Sequence, residues 1–178
     1  MKIETVTITR LRDALLASGR RPTTVLSPAY ETLTRERLLS NEETIALSRV
    51  EPLAETMFLM MSADGKIEES ERDVVRGAIR GLSDNILRSG TINVMIETYQ
   101  KRLDEQGRDT RLHEIAEEIA GEPSELEGAF ALAAAVALAD EEVADEENAL
   151  INQLAEWFGI SEERAGEILD QLEADAGD

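Results

Sequence analysis

Helical periodicity is the dominant pattern of apolar and polar residues along the chain. In the segment ERDVVRGAIRGL, residues 71–82, apolar residues recur at the spacing of one helix face and arginines fill the other side. The segment ENALINQLAEWF, residues 147–158, repeats the same apolar positions. Each segment follows an apolar stretch and an acidic turn. The pattern predicts an all-α fold, a helical bundle with an internal pseudo-two-fold repeat of helix, acidic turn and helix.

Capping residues and breaks in the apolar period predict where the helices begin and end. Ser124 and Glu127 have the S-x-x-E spacing of a capping box, and Ser161 resembles an N-cap. Gly121 and Gly159 are typical of residues that follow a helix. The predicted helices span residues 52–63, 68–82, 92–106, 109–120, 123–139, 144–158 and 161–174.

The helices suggest an N-terminal extension, residues 1–50, followed by a helical body, residues 51–178. In the extension, TVTIT alternates like a short strand without a predicted partner, whereas LRDALLASG favours a helix that ends at Gly19. We expect the extension to be helical and packed on the body; a basic arm lying on an acidic surface is the alternative. Pro52 falls in a helical stretch and predicts a restart or a kink. The repeat halves of the body span about 51–106 and 123–174.

Charge is distributed unevenly between these two parts. Residues 1–50 hold 8 basic and 6 acidic residues, whereas residues 51–178 hold 10 basic and 32 acidic residues. The net charge of −22 on the body repels nucleic acids and anionic lipids, and it attracts cations and basic protein surfaces. We therefore expect no nucleic acid among the partners.

The composition also argues against an enzyme. The absence of cysteine excludes thiol nucleophiles and the usual structural zinc sites. The single histidine, His113, has no evident serine partner and is predicted to lie on a helix surface, and Met57, Met60 and Met61 are assigned to packing. No glycine-rich segment has the spacing of a phosphate-binding loop, and only 3% of residues are aromatic, too few for a typical sugar-binding cleft.

The longest apolar run, AFALAAAVALA at residues 129–139, is too short to span a bilayer. The N-terminal residues also lack an uninterrupted apolar stretch of the kind found in a secretory signal. We therefore expect a cytoplasmic protein.

The acidic turn SADGKIEESE, residues 62–71, resembles a calcium-binding loop. Gly65, Ile67 and Glu71 fall at positions 6, 8 and 12 of an EF-hand loop. Positions 1 and 3 would then be Met60 and Ser62, so the carboxylate that opens the loop is missing. The turn is therefore a poor match to an EF-hand.

Two interpretations of the acidic turns remain open. In the first, Glu71 caps the following helix by accepting backbone N–H groups near its N-terminus. In the second, carboxylates at two helix starts bind a hard cation, for which calcium or magnesium is expected because neither cysteine nor a neighbouring histidine favours zinc. The candidate metal ligands are Asp64, Glu68, Glu71, Asp140, Asp145 and Glu147.

The two turns also resemble a family motif. The sequence D-G-x-I-x-x-x-E at residues 64–71, and its variant D-E-E-V-x-x-x-E at residues 140–147, are similar to the motif of the tellurite-resistance TerB family. The resemblance covers roughly residues 50–175, and it departs from the family pattern at Glu141, where a glycine is expected. The resemblance implies an α-helical fold with internal pseudo-symmetry and an acidic surface that binds divalent metal. It also implies a role in stress-response assemblies, some of them at the cytoplasmic face of the membrane.

Two functional hypotheses follow. The first is a non-enzymatic acidic interaction module of a tellurite-resistance-like stress-response system, which docks basic protein surfaces and has a divalent cation at its acidic helix starts. The alternative is a dedicated calcium- or magnesium-binding protein that acts as a buffer.

Overall fold

The computed structural model describes residues 3–17, 30, 39–62, 67–139 and 145–177, and within these ranges it contains eight α-helices and no β-strand. This confirms the all-α prediction. The helices are α1 (Thr5–Ala17), α2 (Asn41–Met61), α3 (Glu69–Leu82), α4 (Ser89–Gln106), α5 (Arg108–Glu118), α6 (Pro123–Leu138), α7 (Asp145–Trp157) and α8 (Glu162–Gly177).

Helices α2 and α6 form the centre of the bundle and pack along one another. The two helices approach closely at Gly128, where a Cβ atom would lie 3.0 Å from Cδ2 of Leu53. Most residues of both helices are buried. This is expected for helices that are apolar around much of their circumference and therefore have neighbours on several sides. Met57, Met60 and Met61 are all buried in this core, which confirms their assignment to packing.

Pro52 lies inside the continuous helix α2, so the predicted restart at this residue is wrong. A proline removes one backbone donor and disturbs the preceding turn. Buried apolar residues on both sides of it, including Val50 and Leu53, offset that loss by packing into the core. A helix boundary predicted from proline alone is therefore overridden by tertiary contacts.

Helix α6 begins at Pro123 as predicted, but the residue that caps it differs from the prediction. Pro123 occupies the first turn and Glu122 is the N-cap residue, so Ser124 is already inside the helix and its predicted capping role is wrong. The fixed φ angle of proline suits a first helical residue, so the N-cap is the residue before Pro123 and not Ser124. At α8 the predicted N-cap role of Ser161 is confirmed, because its hydroxyl accepts a hydrogen bond of 3.1 Å from the backbone N–H of Arg164.

Gly121 and Gly159 follow α5 and α7 with φ angles of 85° and 69°. These values lie in the left-handed region that glycine adopts readily. Both glycines therefore terminate helices as predicted.

Helix α1 includes TVTIT, so the strand-like alternation of that segment does not produce a strand. Ile8, Leu11 and Leu15 are buried, and α1 contacts α3, α6 and α8. At its contact with α3, a Cβ atom added to Gly81 would lie 2.5 Å from Cγ2 of Ile8. The predicted end of this helix at Gly19 lies outside the described residues.

Helix α2 begins ten residues before the predicted boundary between extension and body and continues across it. The division of the chain at residue 50 stays a prediction, as does the pseudo-two-fold relation of residues 51–106 and 123–174.

Candidate functional site

The acidic turn before α3 contains a capping interaction. Glu68 is the N-cap residue, and its backbone N–H donates a hydrogen bond of 2.9 Å to Oε2 of Glu71. Ile67 is buried, so the chain returns to the core immediately before the helix. The carboxylate of Glu71 also lies at the positive end of the helix dipole. Helix capping by Glu71 is therefore confirmed.

The six candidate metal ligands are only partly visible in the structure. Asp64 and Asp140 lie outside the described residues, and the side chains of Asp145 and Glu147, at the start of α7, are not described either. The remaining two, Glu68 and Glu71, are neighbours at the start of α3. No group of three potential ligands that could hold a metal occurs among the described residues. Metal binding at the two turns stays a prediction.

Negative charge is concentrated at the C-terminal end of the chain. Residues 139–178 contain 14 acidic residues and one basic residue, Arg164. Arg164 donates hydrogen bonds to Oε1 of Glu127 at 2.6 Å and to Oε2 of Glu167 at 2.8 Å. These bonds raise its pKa, so the one base in this region is neutralised by acids of the same chain. We call the exposed carboxylates of α7 and α8 the acidic surface; it consists of Glu156, Glu162, Glu163, Glu167, Asp170 and Glu173.

Several arginines elsewhere are also paired within the chain. Arg76 contacts carboxylates at the start of its own helix, at 2.9 Å from Glu69 and 2.6 Å from Asp73. Arg88 lies 2.6 Å from the buried carboxylate of Glu43. Because these cations are already engaged, they do not neutralise the acidic surface.

A buried ion-pair cluster connects α2, α4 and α5. Glu55 and Arg111 are 1% and 5% exposed. Arg111 donates through Nε to one carboxylate oxygen of Glu55 and through Nη2 to the other, the second bond measuring 2.9 Å. Arg102 donates to Oε1 of Glu55 at 2.8 Å and to Oε1 of Glu51 at 3.1 Å. Both oxygens of Glu55 therefore accept hydrogen bonds from arginine donors.

Tyr30 completes this arrangement, which we call the Glu55 cluster (Tyr30, Glu51, Glu55, Arg102 and Arg111). The Tyr30 hydroxyl donates a hydrogen bond of 2.9 Å to Oε1 of Glu51. Burial raises the pKa of Glu51, and Arg102 opposes that shift. Burial also raises the pKa of Tyr30. The cluster ties a residue N-terminal to α2 into the centre of the bundle.

The sequence analysis missed the Glu55 cluster. The sequence contained one indication of a buried charge. Glu55 interrupts the apolar run LAETMFLMM, whose other residues are buried. A carboxylate at such a position requires a buried cation as its partner. Its partners, Arg102 and Arg111, are far away in the sequence, and no local pattern identifies them.

His113 is exposed on α5, as predicted. Its ring lies 4.9 Å, centroid to centroid, from the ring of Trp157 on α7. The histidine therefore contributes to packing between two helices at the surface.

None of the described helices is both long and apolar enough to cross a membrane.

Comparison with known proteins identifies the family. A family model described as "Tellurite resistance protein TerB" matches residues 51–169, from within α2 to within α8. No match was found among curated proteins or among solved structures. The family match covers most of the chain and includes both acidic turns, in agreement with the resemblance of their motifs. The chain therefore belongs to the TerB family of tellurite resistance proteins.

Proposed function

We propose that this protein is a non-enzymatic interaction module of a tellurite-resistance-like stress-response system. The observation that carries the proposal is the acidic surface of α7 and α8, whose region contains a single base that is already paired. Exposed carboxylates that greatly outnumber the nearby cations attract a partner with a basic surface and accelerate its approach. The partner class we propose is a basic protein surface of a stress-response complex.

The geometry of α8 supports this proposal. Glu163, Glu167 and Asp170 follow the i, i+4 and i+7 spacing of one helix face, and Glu173 lies beside them. All four are exposed. A partner could therefore contact several carboxylates from one direction.

The Glu55 cluster supports a non-enzymatic role. Its buried carboxylate, Glu55, is held by arginine donors at both oxygens. Such a group fixes three helices in place rather than transferring a proton. We propose that the protein acts in the cytoplasm, and that its basic partners include proteins at the cytoplasmic face of the membrane.

A dedicated calcium- or magnesium-binding function is the second candidate. The observation that favours it is the position of two glutamates, Glu68 and Glu71, three residues apart at the start of α3, since carboxylate oxygens are the ligands that these cations prefer. In this case the free protein binds the cation tightly, whereas an interaction module binds a protein partner tightly.

Partner capture with matched charge variants tests the proposed function. The test variant carries Glu163→Gln, Asp170→Asn and Glu173→Gln on α8, which keeps the Arg164 pairs intact. The control variant removes three exposed carboxylates of α4 and α5, by the substitutions Glu97→Gln, Glu105→Gln and Glu117→Gln. Both variants lose the same charge.

Cell extract is passed over immobilised wild-type protein and over both variants, and the proteins released by rising sodium chloride are identified. We expect the wild type and the control to retain the same basic proteins, and the α8 variant to lose them. Equal losses from both variants would show that net charge alone attracts the proteins, and the proposed acidic surface would be wrong.

A further inference from the structure

An apolar groove lies between α1, the first turns of α2 and the loop that joins α3 to α4. Its volume is 280 Å³. Five large apolar residues are exposed in the described part of the chain, and three of them, Leu16, Ile45 and Ile86, line this groove. Their exposed fractions are 54%, 37% and 37%. We call this feature the Ile45 groove; it is lined by Arg12, Leu16, Ile45, Arg49, Asp84 and Ile86, among others.

The loop conformation explains why Ile86 is exposed. Asp84 and Asn85 have positive φ angles of 53° and 62°. Such angles are uncommon outside glycine, and Asp and Asn are the residues that tolerate them best. The Asn85 N–H donates to the Arg80 carbonyl at 2.8 Å, and the chain then leaves Ile86 at the groove while Leu87 is buried. Unusual backbone geometry thus presents an apolar side chain at the surface.

The charges at the groove are also unusual for this protein. Arg12 lies 3.3 Å from the Asp84 carboxylate, so these two charges are paired. Arg49 is half-buried, and its Nε–H is shielded from solvent without a hydrogen-bond acceptor. A shielded donor of this kind gains free energy when an acceptor is supplied. Glu42 also lines the groove, and Arg49 is the lining cation that is not paired with Asp84, so its guanidinium offers an external carboxylate a partner.

We propose that the Ile45 groove docks an amphipathic helix of a partner protein. Two or three large aliphatic side chains of that helix fill the groove, and an Asp or Glu beside them pairs with Arg49. Helices bind open apolar grooves in this way through residues at i, i+3 or i+4, and i+7. A second copy of this chain is a poor occupant, because both copies carry a charge of −20.

This site is separate from the proposed acidic surface and does not depend on it. Arg12, Leu16, Ile45 and Arg49 all precede the residues matched by the family model, which begin at residue 51. The groove therefore combines residues before the matched part with Asp84 and Ile86, which lie inside it.

Selection from a displayed library of helical peptides tests the proposal. The library has a fixed helical scaffold randomised along one face, and the target is the full-length protein. We expect the selected peptides to carry aliphatic residues at i, i+3 or i+4, and i+7 with an adjacent Asp or Glu. The affinity of a synthetic selected peptide is then measured by fluorescence anisotropy for the wild type and for variants that circular dichroism shows to be folded.

The variants separate the groove from the rest of the surface. Arg49→Gln is expected to weaken binding about 10-fold, and Ile45→Asp more than that, as expected for central contacts of an interface. Leu16→Gln provides a second groove variant should Ile45→Asp fail to fold. The matched control is Leu138→Asp on α6, since Leu138 is as exposed as Ile45 and lies outside the groove lining. Its affinity should equal that of the wild type.

Charge exchange gives a further test of the Arg49 pair. Arg49→Glu should abolish binding of the selected peptide, and replacing the peptide's acidic residue by arginine should restore it to within about 3-fold.

The proposal is overturned when selection yields no aliphatic and acidic consensus, or when Ile45→Asp and Leu138→Asp have equal effects. It is also overturned when the protein forms a dimer that Ile45→Asp dissociates, since the occupant is then a second copy. Val25 and Leu26 are apolar residues of the segment between α1 and α2. If the peptide binds only after both are replaced by serine, the groove is occupied by that segment of the same chain, and the proposal is again contradicted.

Discussion

Thr7 and Asp175, which lie near opposite ends of the chain, share a buried hydrogen bond of 2.7 Å between Thr7 Oγ1 and Asp175 Oδ2. Arg10 reaches the same carboxylate oxygen at 2.6 Å, and Gln171 donates to the other oxygen. Both Thr7 and Asp175 lie outside residues 51–169, the part matched by the family model. The two ends of the chain are thus held together by contacts that the family domain does not include.

Asp175 should make the stability of the fold sensitive to acid. Burial alone raises the pKa of this carboxyl group, but hydrogen bonds from Thr7, Arg10 and Gln171 outweigh burial and lower it below its ordinary value of 3.8. A lowered pKa contributes stability above the ordinary value, and that contribution is lost as the pH falls through the lowered pKa. We expect Asp175→Asn to reduce the free energy of unfolding by about 1–3 kcal/mol at pH 7.

Thermal unfolding between pH 2.5 and pH 7 checks this prediction. The melting temperature of the wild type should fall more steeply below about pH 4 than that of Asp175→Asn. The exposed neighbour Glu173 provides the control, and Glu173→Gln should follow the wild-type curve. Parallel curves for the wild type and Asp175→Asn would contradict the assignment.

The Glu55 cluster should be intolerant of change at its centre. Glu55→Gln removes the buried carboxylate that pairs with Arg102 and Arg111, and leaves Arg111 only the exposed carboxylates of Glu114 and Glu118. Breaking a buried pair reduces stability by about 3 kcal/mol or more, and because these two acids remain we expect a loss of about 3 kcal/mol. Glu51→Gln should reduce stability by less than about 1.5 kcal/mol, because an amide oxygen can still accept the Tyr30 hydrogen bond and Arg102 keeps its bond to Glu55. Urea unfolding at pH 7 measures both values, and equal losses would be evidence against a cluster centred on Glu55.

The excess of acidic residues should make stability dependent on salt. Carboxylates of the acidic surface repel one another, and sodium chloride screens that repulsion. The melting temperature should therefore rise between about 10 mM and a few hundred millimolar salt, as the Debye length falls from about 30 Å to under 10 Å. A flat or falling melting temperature would mean that internal ion pairs already compensate the acidic charge.

Divalent cations provide the test of metal binding at the two acidic turns. If these turns bind a hard cation, millimolar calcium or magnesium should raise the melting temperature more than sodium at matched ionic strength. The substitutions Asp64→Asn, Glu71→Gln, Asp140→Asn and Glu147→Gln keep side-chain shape while removing ligand charge. The divalent increment should disappear in this variant, with the metal-free protein still folded.

The absence of a divalent-specific increment in the wild type would leave capping as the function of Glu71. Unfolding of the metal-free variant would show that the four carboxylates act mainly on folding. Glu71→Gln alone is the control, because glutamine can still accept the hydrogen bond from the Glu68 N–H.

Several helices were predictable because their apolar residues recur at the spacing of one helix face. For example, α3 was predicted at residues 68–82 and spans Glu69–Leu82. The first and last residues of the helices were harder to predict, since they depend on tertiary contacts that the local sequence does not reveal. Helix α4 begins at Ser89, three residues before the predicted start, because Gly90 is accommodated in its first turn. Helix α2 likewise continues through Pro52.

The candidate sites show the same limit. The capping bond of Glu71 joins residues three apart, so the sequence pattern was sufficient to predict it. The pairing of Glu55 with Arg111 joins residues 56 apart, and it depends on how three helices meet. The Ile45 groove combines α1, α2 and a loop, and only the folded chain brings these together.

The contact between Ile8 and Gly81 has a consequence for comparison among relatives. Gly81 lies inside the residues matched by the family model, whereas Ile8 lies before them. A Cβ atom at residue 81 would come within 2.5 Å of Ile8 Cγ2, so a larger residue there would force the Ile8 side chain or α1 to move. A relative that lacks an N-terminal helix is free of this steric restriction. We therefore expect relatives that pack an N-terminal helix against α3 in this way to keep a glycine at this position, and relatives without such a helix to accept larger residues there.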